Sequence, residues 1–379
     1  DIITHMAKLG MTAYLYAPKE DPYHRFDWRT AYDAEWQDRF SACCHHARDN
    51  GITIIGGVAP GLDYDYRQIN EGDDWRQLLA KCTMMRDLGA GAIALMLDDI
   101  QPDLTAATGW AEGHAHATLA NALYDALNKG LDEAMAGVEL LLVPRIYADD
   151  VMNHDVLASG VDDAAYWPNL AATLNPSITL LVCGEYIIAP QTKLDNTAMV
   201  TAGISADRAV IWDNLYAHDY CPRRLFVGPW RGRSEDQHIM LNPTGMVATD
   251  KLLLSVMVAG DDRAAWGAAL AAHGVPDAFH MIAHFFDLPI ASTTAQNDAA
   301  HADGVGLITV DECDGYLAAL EVLLWQWKSP LAQEWYPFLM GLKQDILYAA
   351  GRMDEPRARK SYPPILHSQL KARPIKPTF

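Results

Sequence analysis

Seven short apolar runs, separated by stretches of helical periodicity, constrain this chain more than any other feature. The runs are TAYLYA (12–17), ITIIGGV (52–58), AIALML (92–97), VELLLV (138–143), ITLLVC (178–183), the VIW run within 209–212, and 237–241. Most are apolar at successive positions rather than alternate ones, which is the pattern of parallel strands covered on both faces by helices. Helices are predicted at 1–9, closed by Gly10, and around 31–49, 74–88, 112–135, 164–173, 194–203 and 246–258. Repeated strand–helix units mean an α/β fold, either a (β/α)8 TIM-type barrel or an open doubly wound sheet. No G-x-G-x-x-G turn follows a strand, which weighs against a dinucleotide fold. A span of about 250 residues suits a barrel. A barrel needs eight strands, the count is seven, and a helix comes first. The expectation is therefore a first strand upstream of Asp1.

The 379 residues leave room for a second domain. The predicted division is a catalytic barrel over 1–262 and a helical C-terminal domain over 263–379, ending in a basic, Pro-containing tail. Within the latter, residues 321–350 are aromatic-rich and helical apart from Pro330 and Pro337. Trp325, Trp327 and Trp335 read as core rather than as a sugar platform. The net charge of −20 argues against nucleic acid or an anionic membrane as partner. No run of about 18 apolar residues suggests a membrane span. The six cysteines match no disulfide framework or zinc site. On a helix Cys43 and His46 share a face, which gives two metal ligands at most. Asp63-Tyr64-Asp65 lacks the Gly and Glu of a calcium loop. No metal and no organic cofactor is expected. The cysteine usage points to a reducing compartment, and the expected location is cytoplasmic. The chain begins without a methionine or a signal peptide.

The third run, in LMLDDIQPDL (95–104), stops at two adjacent aspartates, Asp98 and Asp99. Burying two neighbouring like charges is costly, so the pair is either a solvated strand end or a chemical device. Polar residues follow other runs as well: Lys19 and Asp21, Asp63 and Asp65, Tyr147, Asn214 and Asp219, and Asn242. In a barrel such strand ends share one rim, where active sites sit. Taken singly, each has a plain structural explanation. Lys19 could pair with Glu20 and Asp21 on the surface, a barrel tryptophan is usually core, and Asn or Asp before a helix is usually a cap.

Two stretches, YLYAPKEDPYHRFDWR (14–29) and IWDNLYAHDYCPRRLFVGPWRGR (211–233), resemble glycoside hydrolase family 84, the protein O-GlcNAcases and related β-N-acetylglucosaminidases. GVAPGLDYDY (57–66) and LMLDDI (95–100) resemble it too, in order and spacing. The resemblance implies a (β/α)8 barrel whose first strand carries a glycine-rich motif that is not in this sequence. It also implies a retaining exo-β-N-acetylglucosaminidase acting on O-linked β-GlcNAc of Ser or Thr in proteins. Hydrolysis would be substrate-assisted, with the 2-acetamido oxygen attacking the anomeric carbon to form an oxazoline. That removes the need for two carboxylates on opposite faces of the sugar.

By the same resemblance, Asp98 would orient the acetamido group as a carboxylate, and Asp99 would act as general acid and then base. Asp99 would have to start protonated, so a raised pKa is expected from burial and the Asp98 charge. Lys19 would donate to sugar hydroxyls, and Tyr147 would donate to the acetamido oxygen. Trp212 would wall the acetyl methyl, and Asn214 would fix the acetamido and acid groups. Asp219 and Asn242 would hold hydroxyls, and Tyr220 would line the way toward the aglycone. The sequence departs from the family at Arg145 and Ile146, where threonine and glutamate are usual, and at Val182, where tryptophan is usual. Two other readings stand beside this one. The first is cleavage of hyaluronan, mucin or another GlcNAc glycan. The second is a non-catalytic GlcNAc-binding protein, against which the intact aspartate pair argues. Oligomeric state is not legible.

Overall fold

A computed structural model describes residues 1–100, 108–129, 137–153, 163–217, 225–233, 238–287 and 310–353. Seven strands form one sheet in sequence order: β1 (Ala13–Tyr16), β2 (Thr53–Val58), β3 (Ala92–Met96), β4 (Glu139–Val143), β5 (Thr179–Val182), β6 (Ala209–Asp213) and β7 (Ile239–Leu241). Each neighbouring pair from β1–β2 to β5–β6 is parallel. β7 joins β6 through Ile211 N–H to the His238 carbonyl (2.8 Å) and Asn242 N–H to the Asp213 carbonyl (2.9 Å), with both numberings climbing together. Parallel neighbours need crossovers. Among the described residues these include α2 (Ala34–Asp49), α3 (Asp73–Asp87), α4 (Glu112–Asn128), α5 (Tyr166–Thr173) and α6 (Ala198–Thr201), with α1 (Ile2–Lys8) ahead of β1. This is the TIM-type (β/α) arrangement that the alternation predicts.

Local chemistry sets the ends of these elements. Gly10, at φ +76°, follows α1. The predicted helix at 31–49 starts only at Ala34, because Asp33 caps it by accepting from Trp36 N–H at 2.8 Å. The helix predicted at 194–203 shrinks to α6, between the Thr197 cap and Gly203 at φ +95°. The end of the helix predicted at 112–135 lies outside the described residues.

Both faces of the sheet are buried. Ala92, Ala94 and Met96 of β3, Leu141 and Val143 of β4, and Leu181 with Cys183 share one cluster. The alternate residues Ile93, Leu95, Leu140, Leu142 and Leu180 are fully buried on the other face. This explains why the runs are apolar at successive positions.

The described residues fall into two compact units. Those within 1–187, 192–212 and 235–240 form the first, and those within 188–191, 213–234 and 241–379 form the second. The second unit takes in α7 (Val247–Ala259), together with α8 (Arg263–Ala272), α9 (Phe279–Ile282), α10 (Val310–Glu321) and α11 (Pro330–Ala349). Physically, α7 is tied to α11. Glu334 accepts from Ala248 N–H (2.9 Å) and Thr249 N–H (2.7 Å), satisfying the start of α7, and Trp335 Nε1 donates to Thr249 Oγ1. Trp335 and Trp327 are core as expected, but Trp325 is about half exposed. Pro330 opens α11, while Pro337 lies inside it and does not break it.

Candidate active site

The first unit builds its candidate site at the end of β3. The ladder runs one residue past the strand, with Leu97 N–H donating to the Val143 carbonyl at 2.9 Å. The two-residue period then turns Asp98 to the same face as Ala92, Ala94 and Met96, and its side chain is 4% exposed. Asp99 breaks the alternation. It has φ +53°, the only positive φ at a non-glycine among the described residues, and its side chain is 48% exposed.

Side chains from two other strand ends converge on the pair. Lys19, beyond β1, places Nζ 3.0 Å from Asp98 Oδ2 and 2.5 Å from Asp99 Oδ2. The Tyr147 hydroxyl, beyond β4, donates to Asp99 Oδ1 at 3.0 Å. Lys19 thus pairs with the two aspartates of β3 rather than with Glu20 or Asp21. Asp21 instead accepts from the Tyr16 and Tyr32 hydroxyls. Asp98 Oδ1 is buried and has no hydrogen-bond partner among the described residues. A buried carboxylate oxygen without a donor is costly, and it marks a place where a ligand N–H fits.

Asp99 does not carry the raised pKa expected of a resting general acid. Burial alone would raise it, but the Lys19 ammonium, the Tyr147 hydroxyl and the Arg25 charge together outweigh burial and hold it below the usual carboxylate range. Lys19 responds in the opposite sense. Burial would lower it, and Asp98 and Asp99 overcome that and raise it.

Arg25 has no assigned role in the sequence reading, although it lies within one of the quoted stretches. Its guanidinium is buried against the pair and donates to the carbonyls of both aspartates. No sequence signal exposes this, because its partners are backbone atoms more than seventy residues away.

Trp212 packs against the cluster that holds Tyr147, and its Nε1 is buried without a partner among the described residues. In the second unit, Asn242 Nδ2 donates to Asn214 Oδ1 at 2.9 Å, so these two predicted residues meet. Asp219 and Tyr220 lie outside the described residues. Asp63 and Asp65 are engaged by Arg29 and Arg67. His46 contacts Asp1 at 2.7 Å. The departures from the family have structural accounts. Arg145 is 1% exposed and ion-paired to Glu112 and Asp163. Val182 lines a small cavity beside Tyr147, together with Ile146, Trp167 and Met199.

The model of the beta-N-acetylglucosaminidase family matches residues 1–257. The chain belongs to this family. The resemblance to glycoside hydrolase family 84 is thereby borne out. The protein O-GlcNAcases of Rattus norvegicus and Mus musculus are each 28% identical to this β-N-acetylglucosaminidase family member over 239 residues, covering 62% of this chain and 24% of theirs. The chain spans about a quarter of the length of these curated relatives. The solved structure of CpGH84B is similar with a TM-score of 0.69 at 20% identity, over 92% of this chain and 64% of that one. A mutant of the Thermobaculum terrenum O-GlcNAc hydrolase is similar with a TM-score of 0.71 at 18% identity, over 98% of this chain and 83% of that one. These two likenesses establish that the family member shares their fold.

Proposed function

We propose that this protein is a retaining exo-β-N-acetylglucosaminidase that removes O-linked β-GlcNAc from Ser and Thr of proteins. Family membership and the names of the relatives support the substrate class. The observation that carries the reading is Asp98 Oδ1, a buried acceptor with no donor among the described residues, beside an aspartate that is half exposed.

As a carboxylate, Asp98 is acceptor-only and takes the acetamido N–H of the sugar. This aims the acetamido oxygen at the anomeric carbon and stabilises the positive charge that grows on the forming oxazoline. Asp99 gives its proton to the leaving Ser or Thr oxygen as the glycosidic bond breaks. It then takes a proton from the water that opens the oxazoline, so the configuration is retained overall. In the free protein Lys19 opposes protonation of Asp99. Sugar hydroxyls that engage the ammonium weaken this opposition as the substrate enters. Tyr147, bonded to Asp99 in the free protein, is the donor available to the acetamido oxygen. Trp212 walls the acetyl methyl, and the family resemblance assigns further sugar contacts to Asn214, Asp219, Tyr220 and Asn242. No cofactor enters these steps. The cysteine usage supports a reducing, cytoplasmic setting as part of the same proposal.

The test supplies the protein with a nitrophenyl β-N-acetylglucosaminide, the corresponding β-glucoside, and a peptide carrying β-GlcNAc on serine. The expected result is cleavage of the first and third, with β-GlcNAc as the first-formed anomer, and none of the glucoside, which lacks the internal nucleophile. Equal cleavage of the glucoside would rule out substrate assistance. Binding of GlcNAc without turnover would make the protein a GlcNAc-binding one.

A further inference from the structure

Asp98 and Asp99 are adjacent in sequence, yet one is buried and the other half exposed, and the backbone between them makes the difference. Aspartate enters the left-handed region more readily than most non-glycine residues, yet at a cost relative to glycine, so its surroundings help decide whether it stays there. Here one side chain grips the turn. Arg25 Nη2 donates to the carbonyls of both Asp98 (3.2 Å) and Asp99 (2.8 Å), and Nη1 lies 3.7 Å from Asp98 Oδ2. The Arg25 side chain is 8% exposed, whereas the next residue, Phe26, is 69% exposed. The loop buries the charge and leaves the aromatic ring in water, the reverse of the usual order.

The loop that carries Arg25 is itself pinned. Ala59 N–H donates to the His24 carbonyl at 3.0 Å, and His24 Nδ1 donates to the Gly57 carbonyl at 3.0 Å. Buried Lys81 donates to the Tyr23 carbonyl at 2.6 Å, and Asp27 N–H to the Pro22 carbonyl at 2.7 Å. A planar fork on a fixed stem can serve two carbonyls and a carboxylate together, which a lysine ammonium cannot match.

We propose that Arg25 is a positioning residue for the acid–base step, holding the Asp98–Asp99 turn left-handed so that the Asp99 carboxyl points to Lys19 and Tyr147. This rests on reading the two aspartates as the catalytic pair.

The test compares Arg25→Ala and Arg25→Lys with wild type on two aryl β-N-acetylglucosaminides, an activated dinitrophenyl one and an unactivated one, and adds a crystal structure of each variant. In Arg25→Ala, kcat on the unactivated substrate is expected to fall ~100-fold, the loss of one well-placed general acid. KM is expected to stay within about threefold, since sugar binding is not what Arg25 serves. The activated substrate, whose leaving group needs little protonation, should lose much less. Added guanidinium should restore part of the Arg25→Ala rate, and φ of Asp99 should leave the left-handed region. Arg25→Lys should recover only part of the rate, and if Arg25→Ala does not fold, Arg25→Lys decides by the same split between substrates. Equal losses on both substrates, a rise in KM with kcat unchanged, or φ of Asp99 still near its wild-type value would overturn the proposal. If wild type cleaves neither substrate, the functional reading fails. The Asp99 backbone in the variant then decides the positioning claim separately.

Discussion

Two strand ends carry buried aspartates with arginine partners, and they are built to different standards. At the end of β6, Asp213 and Arg233 are each 1% exposed. Asp213 Oδ1 accepts from Arg233 Nη2 and Leu215 N–H, and Oδ2 accepts from Arg233 Nε and Trp230 Nε1. Every oxygen is satisfied, and the charge is matched within one closed pair. At the end of β3, Asp98 keeps one oxygen without a donor among the described residues, Asp99 sits in a left-handed backbone, and Lys19 spans both. A buried carboxylate that is fully bonded has no capacity left for a ligand. One that is partly bonded keeps that capacity at some cost in stability. The difference separates an aspartate with no capacity left for a ligand from one that keeps it, without reference to sequence motifs.

Four substitutions press on this contrast. Asp99→Asn is expected to lower kcat on an unactivated aryl β-N-acetylglucosaminide by ~10²–10⁴-fold, while urea unfolding changes by less than about 1 kcal/mol. A stability loss as large as that of a buried pair would erase the distinction. Arg233→Met should cost about 3–5 kcal/mol in urea unfolding, because Asp213 would be left buried and unpaired.

Lys19→Met acts on pH dependence. Lys19 lowers the pKa of Asp99, so its removal lets that pKa rise, and the acid form survives to higher pH. The basic limb of log(kcat/KM) should move upward in pH even as KM increases, and a limb that stays in place would show that Asp99 is not the titrating acid. The linked stability effect has a definite sign. A depressed folded pKa stabilises above the ordinary carboxylate pKa and is lost as pH falls through the folded value. With Asp99 half exposed, this effect is small.

Asp99→Gly tests the backbone itself, through a small change in stability. Relief of the left-handed backbone should raise stability by about 0.5–1 kcal/mol after loss of the exposed Lys19 contact, with acid–base activity abolished. A net loss of stability would show that the turn is not strained.

Much of this was legible from residue order. Runs apolar at successive positions specify parallel strands covered on both faces, and all seven were found within a few residues of their predicted limits. Gly10 follows α1 in the left-handed region, as a helix-ending glycine should. Lys19, Asp98, Asp99 and Tyr147 were named from strand ends and motif, and the fold brings them together. Helix limits at α2 and α6 were less legible, because capping by Asp33 and Thr197 decides them locally. The tie between α7 and α11 was not legible, because α7 continues the strand–helix rhythm while its first turn is satisfied by Glu334 from α11.

The sequence by itself determined the architecture and the family, and it singled out two adjacent carboxylates at a strand end, since periodicity and motif spacing are local properties of the chain. Tertiary structure alone decided the chemical state of Asp99. Whether Asp99 lies above or below the usual carboxylate range depends on the distance to an ammonium eighty residues earlier, and its direction depends on one backbone angle held by Arg25. Charge interactions and backbone carbonyl contacts fall off over a few ångströms, so only the fold that closes those distances can set them.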